Sequence, residues 1–188
     1  MKILAFDQAT KTGWCVLEDG KLIDCGIIDM SNSSSKKQKD IIKESLKRDL
    51  FFDESVDLYS WADKACSIRN SIINKCNQEK PDIVVFETVQ DNNNHDVHTK
   101  LAGLLNLLMT TCIDNKIKFL VFPIISWKKE VGIRFSKKNE FGKTVKTVRE
   151  EHKQNAIDIV YEKFGVNVES DVADAICIAL ATYIILNR

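Results

Sequence analysis

Two short apolar runs in this chain stop abruptly on a carboxylate, Lys2-Ile3-Leu4-Ala5-Phe6-Asp7 and Asp82-Ile83-Val84-Val85-Phe86-Glu87. Short apolar runs of this length read as buried strands. Burying an unpaired carboxylate costs several kcal/mol, so a strand that crosses a core and ends on Asp or Glu aims that charge at something. A divalent cation is the natural counter-charge. A third acidic pair, Asp171 and Asp174, opens an apolar C-terminal segment.

The order of elements bounds the fold. Residues 2–7, 12–18 and 21–29 read as three strands, with Glu18-Asp19-Gly20-Lys21 as the hairpin turn between the second and third. The stretch Ser31 to Lys37 is too polar to bury, and 38–48 reads as a short charged helix. From Leu58 to Asn77 the apolar positions Trp61, Ala65, Ile68, Ile72 and Cys76 recur at helical spacing before strand 82–87. A strongly apolar helix over 97–114, expected to pack on two sides, leads to strand 118–122 and a short turn or helix at 126–130. Residues 132–146 read as a mobile loop or short hairpin, and helices at 147–164 and 172–186 close the chain. Three antiparallel strands followed by alternating helix and strand predict an α/β fold, a mixed sheet of about five strands with helices on both faces.

At 188 residues the chain fits one domain spanning 1–188. No apolar run approaches the roughly 20 residues that span a bilayer, and the sequence opens on a strand instead of a leader, so a cytoplasmic protein without a membrane partner is expected. The six cysteines contain no CxxC pair and read as reduced, mostly buried thiols. The formal charge is zero, with 27 Lys and Arg against 27 Asp and Glu, but it is unevenly spread. Between Lys116 and Lys153 eleven basic residues face four Glu, a local balance of +7 against −7 for the rest. Phosphate binding follows that local field more than the total.

Asp7 and Glu87 each end a buried strand, and in open α/β sheets ligands collect outside the C-terminal ends of strands. If the two strands are parallel neighbours, their carboxylates lie side by side. Asp171 and Asp174, three apart, share one helix face. Four converging carboxylates need a counter-ion, and an oxygen-only set suits Mg²⁺ or Mn²⁺ rather than zinc. Each piece has a structural alternative. Asp171 would serve as a helix N-cap with Asp174 in a capping box, and Asp7 as a turn former before Gln8-Ala9-Thr10-Lys11-Thr12-Gly13. Glu87, after four apolar residues, fits a solvated edge poorly.

With Asp7 on the first strand, Gly13 at the second, Glu87 ending the fourth and Asp171-Val172-Ala173-Asp174-Ala175 opening the last helix, the chain resembles the RuvC-type Holliday junction resolvases of the ribonuclease H-like superfamily, phage-encoded members most of all. The resemblance implies a metal-dependent endonuclease that cuts four-way DNA junctions in paired fashion, leaves 5′-phosphates and acts as a homodimer. It implies two Mg²⁺ ions, replaceable by Mn²⁺, with Asp7 between them, Glu87 on one, and Asp171 and Asp174 on the other. Lys128, Lys129, Lys137, Lys138, Lys143 and Lys146 are the expected contacts to DNA phosphates, or else an ordinary solvated surface.

The chain also departs from that pattern. Family members carry Pro-Gly after the first Asp, where this chain has Gln8-Ala9, and an aromatic three residues past the fourth-strand Glu, where it has Gln90. Segments 31–57 and 132–146 look like insertions. His95 and His98 lack the partners of a zinc set, and Trp14 and Trp127 read as core residues or as base-stacking platforms. The nearest alternatives are a flap, broader branched-DNA or structured-RNA nuclease on the same fold. An actin-like ATPase would need two such domains and glycine-rich phosphate loops, and a non-catalytic DNA-binding module would have no use for the acidic set.

Overall fold

A computed structural model describes residues 1–30, 53–89, 94–138 and 143–188. The segment 38–48, most of the proposed insertion at 31–57, and Gln90 lie outside the described residues. Strands β1 (Lys2–Asp7), β2 (Lys11–Glu18) and β3 (Lys21–Asp29) form an antiparallel meander, and β4 (Ile83–Glu87) and β5 (Phe119–Phe122) extend the sheet in parallel on the far side of β1. The order is β3-β2-β1-β4-β5. This is the expected mixed five-stranded sheet. The β2–β3 turn carries positive φ at both Asp19 and Gly20, the twist a two-residue hairpin demands.

Side chains alternate across β1. Ile3 and Ala5 pack with Cys15, Leu17 and Val85 on one face, while Leu4 and Phe6 pack with Val16, Val84 and Phe86 on the other. The second face is covered by α1 (Asp53–Glu79) and α2 (His95–Asp114), which contribute Ile68, Ile72, Leu104 and Leu108. The first is covered by α4 (Arg149–Phe164) and α5 (Ser170–Leu186), with Trp127 from the short α3 (Ile124–Glu130). Two cores thus flank one sheet, and β1, bonded on both edges, is its fully buried centre.

The helices differ from expectation in one respect. Helix α2 buries Leu104, Leu105, Leu108 and Cys112 on one side, whereas Gly103, Asn106 and Thr110 are exposed, so among the described residues it packs on one face. The helix enclosed all round is α5, buried continuously from Ala175 to Thr182 between sheet, α3 and α4. Its near-absence of polar residues there reflects that enclosure. Segment 132–146 contains a short hairpin, β6 (Ser136–Lys138) with β7 (Thr144–Lys146). All six cysteines are free, four of them buried. Among the described residues no helix is long and apolar enough to cross a membrane.

Candidate active site

Strand parity builds the site. Ile3 and Ala5 point to the α5 face, so Asp7, two residues on, continues that row, and Glu87 likewise follows Ile83 and Val85 on β4. β1 and β4 are parallel with Phe6 opposite Phe86, and the same offset carried one residue further sets Asp7 beside Glu87. Helix α5 brings the other two carboxylates. It begins at Ser170 with Glu169 as N-cap, and that cap makes no side-chain bond. Asp171 therefore lies within the first turn and is not the cap, which removes the capping-box alternative.

Gly13 makes the approach possible. It sits opposite Asp7 on β2, and a Cβ there would fall 1.9 Å from the backbone oxygen of Asp171 and 2.9 Å from the nitrogen of Val172. The first turn of α5 rests directly on β2 backbone. Only a residue without a side chain lets the helix come that close.

Gln8, which replaces the expected Pro, locks the two strand ends together. Its buried side-chain amide donates to the Glu87 carbonyl, and its side-chain oxygen accepts from the Glu87 N–H at 3.0 Å. A single side chain thereby satisfies both backbone groups at the point where the parallel ladder ends. Thr12, also buried, closes the turn by accepting from the Ala9 N–H at 3.2 Å and donating to the Ala9 carbonyl.

Asp7, Glu87, Asp171 and Asp174 line one cleft of about 570 Å³ together with Gln8, Lys11, Lys128, Arg149, His152 and Lys153. Burial, then the charges of Glu87, Asp174 and Asp171, push the Asp7 carboxyl well above its ordinary range, with Lys128 opposing. Burial lifts Glu87 to about 7 against the donated Trp127 bond, and lifts Asp174 to about 6 against Lys128 and Lys153. Asp171 has a cation at hand, Lys153 Nζ at 3.7 Å, which also donates to Ser170 Oγ at 3.1 Å. Desolvated, mutually repelling carboxylates in a cleft make these four residues the candidate functional site.

The donor set is all carboxylate oxygen, which fits a hard divalent cation and does not fit zinc. Among the described residues no group of three or more His, Cys, Asp or Glu side chains is gathered tightly enough to hold a metal ion by itself. That is the ordinary situation for Mg²⁺, which takes one or two carboxylates and fills its octahedron with water and substrate phosphate. His95 and His98 stand at the start of α2, outside the cleft lining.

Trp127 is completely buried and donates from Nε1 to Glu87 Oε1 at 2.7 Å, so it is a carboxylate-holding core residue and no base-stacking platform. Trp14 lies beneath the Lys75 ammonium, 3.7 Å from its ring centroid. Substituting Trp127 by Phe is expected to destabilise the fold by about 1–3 kcal/mol, since it strips a donor from a buried carboxylate. It should also raise the Glu87 pKa further. Carboxyl NMR titration would show this, and an unmoved Glu87 would overturn the assigned role of the bond.

Of the six lysines expected at phosphates, Lys128 lines the cleft, whereas Lys129 is exposed on α3 outside its lining. Lys137, Lys138 and Lys146 fall on the β6–β7 hairpin, and Lys143 is exposed just before β7. The sequence reading missed Lys11, Arg149, His152 and Lys153. The last three share one face of the first turn of α4, a spacing the basic block contained but did not single out.

No protein-family model and no curated protein matches the chain. Solved structures do. The chain is similar to Thermus thermophilus RuvC in complex with a Holliday junction substrate, at 12% identity and TM-score 0.67, covering 100% of this chain and 96% of that one. It is also similar to the Fowlpox virus resolvase in complex with substrate Holliday junction DNA, at 12% identity, TM-score 0.51 and full coverage of both chains. The yeast mitochondrial Holliday junction resolvase matches at 14% identity and TM-score 0.52, over 96% of this chain and 77% of that one. What is shared at these identities is the fold, the ribonuclease H-like fold in its RuvC-type form.

Proposed function

We propose that this chain is a divalent-metal-dependent endonuclease that cuts four-way DNA junctions. The observation that carries the reading is one cleft in which Asp7, Glu87, Asp171 and Asp174 are set beside Lys11, Lys128, Arg149 and Lys153. Two of the solved structures that share its fold are complexes with Holliday junction DNA, which supports a branched-DNA partner. Asp7 and Glu87 on the parallel strands, and Asp171 and Asp174 on α5, would hold Mg²⁺ or Mn²⁺, two ions per site. When bound, these supply Lewis acidity for activating water and for the charge that develops on phosphorus.

The protein's own part is placement. Rigid strand ends, pinned by Gln8 to each other, fix Asp7 against Glu87, and the Trp127 N–H orients one Glu87 oxygen. Lys128, Arg149 and Lys153 provide donors for the backbone on either side of the scissile phosphate, which position without reading sequence. Water attacks phosphorus as the bond to the 3′-oxygen breaks, leaving a 5′-phosphate. A homodimer would bring two such clefts to the two opposed strands of a two-fold junction. Lys129 and the hairpin lysines Lys137, Lys138, Lys143 and Lys146 would extend the phosphate contacts.

The test is cleavage of an immobile four-way junction, a linear duplex, a flap and a structured RNA, with Mg²⁺, Mn²⁺ or EDTA. Paired symmetric nicks confined to the junction and abolished by EDTA are expected. Equal cutting of junction, flap and duplex would replace junction resolution by a general branched-DNA activity. Preferential cutting of RNA would move the substrate class, and no cutting with either metal would end the catalytic reading.

A further inference from the structure

His152 lines the cleft, yet has no task in the reading above, on which the present inference rests. It lies on the same face of α4 as Arg149 and Lys153, three residues after the one and directly before the other. Its ring is fixed from outside the helix. Thr147 Oγ1 donates its only proton to the Arg134 carbonyl at 2.9 Å, so its 2.6 Å contact with His152 Nε2 must run the other way, from ring N–H to hydroxyl oxygen. Phe135 meets the same ring edge-on at 5.3 Å, and the Thr147 N–H bonds to the Phe135 carbonyl at 3.1 Å. The base of the β6–β7 hairpin therefore dictates both ring orientation and tautomer.

A neutral ring held this way keeps Nδ1 as a bare acceptor. The groups around it are mixed: Lys128 on α3, Arg149, Glu151 and Lys153 on α4, and Lys11, Asp7, Glu87, Asp171 and Asp174 along the cleft. Burial and the Lys128 charge, against Glu151, hold the imidazole below its ordinary pKa, which keeps it neutral at pH 7 without DNA. A phosphodiester presents only acceptor oxygens, so it cannot bond to a bare Nδ1 and instead favours the charged ring.

We propose that His152 is a proton-gated phosphate contact, which takes up a proton as a backbone phosphate enters the cleft and donates to it from Nδ1 while Nε2 stays on Thr147. The three consecutive contacts of the α4 first turn then become Arg149, His152 and Lys153. Affinity for DNA acquires a dependence on pH that the two permanent cations alone would not give.

The experiment measures junction binding by the full chain at pH 5.5 and pH 8.0 in EDTA, over a range of salt, for the native protein, His152→Gln and His152→Lys. The carboxylates also take up protons in EDTA, but they do so in all three proteins, so the difference reports His152. The native protein should gain about fivefold more affinity on going to pH 5.5 than His152→Gln does. Its log–log salt slope should steepen by about 0.9 more, one phosphate contact. His152→Lys should bind more tightly at pH 8.0 than the native protein does, and should gain no more on going to pH 5.5 than His152→Gln does; its retained binding shows that the substitution leaves the fold intact. Identical pH and salt responses in native protein and His152→Gln would overturn the proposal while leaving the DNA reading standing. Absence of junction binding by the native protein at both pH values would remove both.

Discussion

Replacing Asp7 by Asn is expected to lower metal-dependent junction cleavage by about 10³-fold or more and, in the same protein, to raise the melting temperature of the metal-free form at pH 8. The two effects have one origin. Asp7 is desolvated and faces Glu87, Asp174 and Asp171, which together hold its carboxyl well above the ordinary range. An acid whose folded pKa exceeds its unfolded value binds more protons folded than unfolded between those two values, so stability falls as pH rises through that window. For Glu87 and Asp174, raised to about 7 and about 6, the window runs from roughly pH 4 to 7.

The metal-free native protein should therefore melt lower at pH 8 than at pH 5, and Asp7→Asn should recover about 1–2 kcal/mol at pH 8, or roughly 2–8 °C for a chain of this size. Mg²⁺ should raise the melting temperature of the native protein and do so far less for the variant, because the ion supplies the counter-charge the carboxylates lack. Thermal melts at pH 5 and 8, with EDTA or Mg²⁺, decide this. A variant less stable than the native protein at pH 8 would mean that Asp7 is a structural acceptor, and the repulsive quartet would have to be abandoned.

The second large effect is expected at Gly13. A methyl group there would overlap the backbone oxygen and carbon of Asp171, at 1.9 and 2.4 Å, and backbone has no rotamer to escape into. Gly13→Ala must push the start of α5 off the sheet. We expect a loss of about 3 kcal/mol or more, at the upper end of overpacking costs, and loss of cleavage, since Asp171 and Asp174 move with the helix. Gly103 supplies the contrast. It is exposed on α2 and an added Cβ meets nothing within 4 Å, so Gly103→Ala should stabilise by about 0.5–1 kcal/mol through helix propensity alone. Chemical denaturation of the two variants with a cleavage assay tests both, and a Gly13→Ala protein that melts and cuts like the native one would refute the close packing.

How the sequence failed is as informative as where it succeeded. The leucines Leu101, Leu104, Leu105, Leu107 and Leu108 predict packing on two sides of helix α2, yet among the described residues one face holds the exposed Gly103, Asn106 and Thr110. Counting leucines gives apolar content, whereas burial depends on which angular sector a neighbour covers. Trp127 was open between core and stacking platform because a large aromatic suits both, and only its position beneath Glu87 assigns it. In the sequence Gln8 is only a departure from the Pro-Gly pattern that follows the first Asp. Its value as a clamp depends on Glu87, 79 residues away, and no local pattern contains that contact.

The apolar runs that end in Asp7 and Glu87 and the hairpin at Asp19-Gly20 were sufficient to specify strands and a mixed sheet, because period-two burial and turn chemistry are local properties of a chain, whereas the neighbourhood of β1 and β4 stayed a condition until the sheet itself set them side by side. The choice of face was also implicit there, since residues two apart on a strand share a side. Convergence was not. That Asp171 reaches Asp7 depends on the missing side chain at Gly13, that Glu87 is held depends on Trp127, and that Arg149, His152 and Lys153 overlook the carboxylates depends on how α4 lies across α5. Those are distances between segments far apart in sequence, set by packing, and packing is decided only when the whole core closes.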